Sequence, residues 1–68
     1  MLKKTDIPNL PGKTVIITRT NKTYEIISAS VVKWAGLVAV LRDSDGEERK
    51  LVIHNSVWDP ERDAYILD

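Results

Sequence analysis

An all-β fold, either a small barrel of five to six strands or a strongly bent antiparallel sheet, is predicted by three observations. Runs of aliphatic and β-branched residues recur at short intervals, at 13–20, 23–34, 37–43 and 47–53. Turn signals separate or flank them, at Pro11-Gly12, Asn21-Lys22, Ser44-Asp45-Gly46 and Asp59-Pro60. No stretch makes a convincing helix, and short strands with tight turns are the mark of small barrels and bent sheets.

The stretch from Leu37 to Ile53 organises the rest. Two largely aliphatic runs flank Ser44-Asp45-Gly46, and Gly46 can take the left-handed conformation that a three-residue turn with a bulge requires. With Asp43 opposite Glu47, Leu37 and Ala39 share one face with Ile53 and Leu51, and Val38 and Val40 share the other with Val52 and Lys50. A half-buried hairpin needs one apolar face, and this one is apolar on both at its open end.

Residues 1–12 read as an N-terminal arm ahead of a single small β domain, 13–68. Pro8 and Pro11 each remove a backbone donor and push the preceding residue toward extended geometry, which leaves Ile7 and Leu10 as anchors. Lys13 to Thr20 is the first strand, Asn21-Lys22 a two-residue turn, and Thr23 to Trp34 the second strand. Thr20 opposite Thr23 sets Arg19 across from Tyr24, Ile17 from Ile26 and Val15 from Ser28. The Val15, Ile17, Tyr24, Ile26 side is the expected core, with Ile16 and Ile27 on the opposite side. A strand this long calls for a bend or bulge, expected at Ser28-Ala29-Ser30. After the hairpin, His54-Asn55-Ser56 is a short connection. Val57-Trp58 and Ala64 to Leu67 form a last ribbon around Asp59-Pro60-Glu61-Arg62-Asp63, a segment that alternatively starts a helical turn.

A chain of 68 residues buries only about 60% of its unfolded surface, so association would help its stability. There is no cysteine, which removes disulfides and thiolate metal sites and favours a cytoplasmic home. The N-terminus lacks an apolar core of the signal-peptide kind, and the run from Trp34 to Leu41 is too short to span a bilayer, so no membrane association is expected. Basic and acidic residues balance at ten each, which removes a global field for nucleic acid. Their distribution is uneven: residues 1–33 hold six basic and two acidic residues, and residues 34–68 hold four and eight.

Catalytic chemistry finds little footing. His54 is the only histidine and has no cysteine or spaced carboxylates to complete a metal site. Glu47 and Glu48 sit beside a turn where solvation keeps carboxylates ordinary. Gly12, Gly36 and Gly46 are too far apart for a phosphate loop. No catalytic residue, metal or cofactor is expected, and the chain reads as no enzyme.

Binding has better support. The surplus of apolar strand positions points to a non-enzymatic interaction module that binds a protein partner or forms a homo-oligomer through Ile16, Ile27, Trp34, Val38, Val40 and Val52. The alternative is single-stranded nucleic acid, held by Lys13, Arg19, Lys22 and Lys33 with Tyr24 and Trp34 as stacking rings. A third use of the rings competes with both: in a chain without phenylalanine, Trp34, Trp58 and Tyr65 are candidates to plug the ends of the barrel. The strand order from Gly12 to Val57, with Asn21 in the first turn, resembles the small barrels of the Sm-like and SH3-like groups. Lys22 stands where the Sm-like group has glycine, and His54-Asn55-Ser56 does not reproduce its nucleotide-binding loop, so no binding residue carries over.

Overall fold

Six strands follow a short 3-10 helix in the computed structural model, which describes residues 2–68. They are β1 (Thr14–Ile17), β2 (Lys22–Val32), β3 (Gly36–Arg42), β4 (Glu48–Val52), β5 (Val57–Asp59) and β6 (Ala64–Leu67). They form one sheet in the order β4-β3-β2-β1-β6-β5. Two of the expectations on architecture are thereby corrected. The sheet is not closed into a barrel, and it is mixed rather than antiparallel, because β1 and β6 run parallel with Val15 beside Tyr65 and Ile17 beside Leu67. The chain returns to its first strand only after β5, so β6 enters alongside β1 in the same direction.

The Leu37–Ile53 hairpin has the register its turn dictates. Val38 pairs with Val52 and Arg42 with Glu48, the Asp43 N–H donates to the Glu47 carbonyl at 3.0 Å, and Gly46 has φ +83. Asp43 Oδ1 also accepts from the Asp45 and Glu47 N–H groups at 2.9 Å each, which fixes the turn from within.

The first hairpin departs from expectation. Val15, not Arg19, lies opposite Tyr24, and Ile17 lies opposite Lys22, so four residues rather than two make the loop. The cause is a competing partner: the Thr18 N–H donates to the Leu67 carbonyl at 2.9 Å and its hydroxyl to Asp68 Oδ1 at 2.8 Å, which draws the chain out of the ladder. Asn21 absorbs the turn at φ 55, a conformation asparagine tolerates. The slip is an even number of residues, so Val15, Ile17, Tyr24 and Ile26 still share the inner face. The bulge in β2 falls at Ile27, between the Ile26–Leu41 and Ser28–Val40 pairs, one residue ahead of the expected segment.

Residues Lys4–Asn9 form the 3-10 helix, where an arm without regular structure was expected. The Lys3 N–H donates to Asp6 Oδ2 at 2.9 Å and the Asp6 N–H to the Lys3 carbonyl at 2.9 Å, while Pro8 lacks the donor a longer α-helix would need. The helix delivers Leu2 and Leu10 into the core with Val15, Tyr24, Ile26, Leu37, Ala39, Leu41 and Ile53. Leu10 is an anchor as expected; Ile7 packs only against the rim, and Leu2 takes the second place. At the other end, Asp59 Oδ1 accepts from the Glu61 N–H at 3.0 Å and Asp63 has φ 52, so this segment is a turn and not a helix start.

Candidate functional site

The register divides the apolar residues between two faces. Inward rows are Val15–Tyr24, Ile26–Leu41 and Ala29–Ala39–Leu51. Outward rows are Val57–Ile66–Ile16, Val40–Lys50 and Val38–Val52. Five of the six residues expected to bind a partner lie off the main core, in β1 to β4, and the sixth, Trp34, stands in the β2–β3 turn.

Their exposure differs sharply. Trp34 is 90% exposed and Val52 46%, whereas Ile16, Ile27 and Val40 are half-buried. Val38 is buried, a correction to its expected role: it sits between Ser30 and Val52, and neighbours on both sides cover it. The composite surface is therefore concentrated around the β2–β3 turn. There Val32 lies opposite Gly36, and Val38 and Val52 follow along the same face. The turn is tight, with the Ala35 N–H donating to the Val32 carbonyl at 3.2 Å and Gly36 at φ +90, and Trp34 stands out from it into solvent. The Lys33 ammonium lies 5.3 Å from the centre of its ring.

Val32, 42% exposed, extends the surface, and Val31, 45% exposed, lies on the other face, opposite Leu37; neither was singled out from sequence. Their signal was present, since a β-branched pair running straight into a tight turn has no strand beyond to cover it. Val57 on edge strand β5 is also exposed. Trp58 and Tyr65 meet edge to face at 4.9 Å, with the Lys13 ammonium 5.4 Å from the Trp58 ring. Tyr65 is half-buried, but Trp58 stays 38% exposed on the edge strand and Trp34 90% exposed, so with no closed barrel neither tryptophan takes the place expected of a plug.

The residues of the nucleic-acid alternative are split up. Tyr24 is buried in the core and offers no ring face for stacking, which corrects its expected role. Lys33 accompanies Trp34, Lys13 accompanies Trp58, and Arg19 and Lys22 border a separate groove. His54 is half-buried beside Gly36, Leu2 and Leu37. Among the described residues no three histidine or acidic side chains gather to hold a metal ion.

Among the described residues, Arg42 and Tyr65 are shifted from their ordinary values. The hydrogen bond from Arg42 to Glu48 at 2.8 Å, then the charge of Glu48, hold the guanidinium in its charged form. Burial pushes the Tyr65 phenol up, and the Asp6 carboxylate adds to the shift. Neither group lies at the β2–β3 turn.

No family model, curated protein or solved structure matches the chain. No helix among the described residues is long and apolar enough to cross a membrane.

Proposed function

We propose that this chain is a non-enzymatic interaction module that binds protein, or a second copy of itself, through the apolar surface around the β2–β3 turn. One observation carries the reading: Trp34 is 90% exposed in a tight turn, and Val32 and Val52 are exposed as well. An indole held out from a short turn loses little conformational freedom on docking and brings a large apolar area, which is why tryptophan is enriched where binding energy concentrates. Val40, Ile16 and Ile27 add half-covered apolar surface further along the outer face. By the same reading the module works in the cytoplasm. Its fold is an unclosed variant of the SH3-like or Sm-like type, on the strength of the consecutive β1 to β4 meander with a bent second strand.

A face of this kind engages a second copy weakly when no other partner is present. Sedimentation equilibrium from micromolar to millimolar concentration is expected to show self-association, and the Trp34→Ala variant to remain monomeric with an unchanged unfolding midpoint. Single-stranded nucleic acid is the second reading, favoured by the Lys33 ammonium on the Trp34 ring. An oligonucleotide that quenches Trp34 at low salt and releases it at high salt would support that reading.

A further inference from the structure

A groove of about 540 Å³ opens at the opposite end of the inner face, where the sheet fails to close. Three strands separate β4 from β6 in the sheet order, yet Leu51 of β4 lines the same groove as Ile17 and Leu67 of β1 and β6. The sheet therefore curls toward closure and stops short, and the groove is the gap.

Three features of the gap point to one kind of occupant. Its floor is aliphatic, from Ile17, Leu51 and Leu67. Its rim carries Arg19, Lys22 and Arg49, all exposed, against the single carboxylate of Asp68, which already accepts a hydrogen bond from Thr18. Neither of the two ion pairs among the described residues involves these three cations. Third, β4 is an edge strand. In its ladder Glu47 and Ile53 take the hydrogen bonds to β3, and Leu51 and Arg49 lie at the same alternation between them. The backbone N–H and C=O groups of Lys50 and Val52 must then point away from the sheet, unpaired, along the groove margin.

We infer that this gap is a second binding site, for an extended acidic peptide that adds to β4 as a further strand. Its backbone pairs with Lys50 and Val52, its alternate apolar side chains lie on Ile17, Leu51 and Leu67, and its carboxylates meet Arg19, Lys22 and Arg49. Nucleic acid is disfavoured here because the floor is aliphatic and the one lining ring, Tyr24, is buried in the core. Val52 lines this groove and also belongs to the surface around the β2–β3 turn, whereas Trp34 and Val32 lie outside it, so Trp34→Ala tests the first reading alone and Arg49→Glu and Lys22→Glu test this one.

The test uses a blocked hexapeptide alternating aspartate with leucine, the same peptide with lysine for aspartate, and a decathymidylate, each titrated into the 15N-labelled protein. The acidic peptide is expected to shift the amides of Lys50, Val52 and Leu67 and to slow hydrogen exchange at Lys50 and Val52. Its affinity should fall at least tenfold in Arg49→Glu and in Lys22→Glu, and less in Arg49→Gln, while Trp34→Ala leaves it unchanged. Equal binding of the lysine peptide, preference for the decathymidylate, shifts confined to the Trp34 turn, no shift at millimolar peptide, or full affinity in the charge-reversed variants would each overturn the proposal.

Discussion

Val38 lies directly opposite Val52 in the β3–β4 ladder, on the same face, yet it is 7% exposed and its partner 46%. Strand order contributes to the difference. β3 has a neighbour on either side, whereas no strand lies beyond β4. Two residues that look alike in sequence thus divide into one that is covered within the sheet and one that stays exposed at its edge.

Substitution at the two positions is expected to separate stability from association. Val38→Ala should lower unfolding stability by about 2 kcal/mol, since a covered methyl pair is removed from a packed position. Val52→Asp should cost about 1 kcal/mol or less in stability, because the edge position stays wet, and should abolish self-association. Urea denaturation and sedimentation on the same samples check both; a larger stability loss at Val52 than at Val38 would contradict the assignment.

The N-terminal segment is expected to behave as part of the core. Leu10 is fully buried among Val15, Ile26 and Leu41, so Leu10→Ala should cost about 3 kcal/mol in urea unfolding. In a chain of this size that is a large share of total stability. Pro11→Ala, at an exposed neighbouring position, is the matched control and should change little.

Alkaline pH is expected to weaken the fold through Tyr65. Its phenol is held above its ordinary value of 10.0, first by burial and then by Asp6, so the folded state favours the neutral form. That contribution is complete below the ordinary value and is lost as pH rises through it toward the higher folded value. Urea midpoints measured from about pH 9 to 11 should fall more steeply for the wild type than for Tyr65→Phe, which has no proton to lose. Parallel declines would remove Tyr65 from the account.

Much of the fold was legible because turn chemistry and period-two patterning are local. Gly46 after Ser44-Asp45 dictated the register of the central hairpin, and the inner face of the first hairpin survived a slip of its register because the slip was even. The misreadings arose from partners distant in sequence. Thr18 leaves its strand for Leu67 and Asp68, some fifty residues on, and nothing around Asn21-Lys22 announces that competition. The parallel meeting of β1 and β6 and the burial of Leu2 are likewise set by tertiary contact. For the candidate site, Trp34 could be picked out as a ring at a turn beside a cation. The burial of Tyr24 and Val38 depended on which strands flank theirs, and so did the bare edge at Val52.

The central claim is that Trp34 is held out to be covered by a partner surface, and its own emission reports this most directly. In a Trp58→Phe variant, where Trp34 is the sole indole, raising the protein concentration from micromolar to millimolar should blue-shift the emission and lower the acrylamide quenching constant several-fold. Emission and quenching that stay at the values of a fully solvated indole across that range would contradict the account.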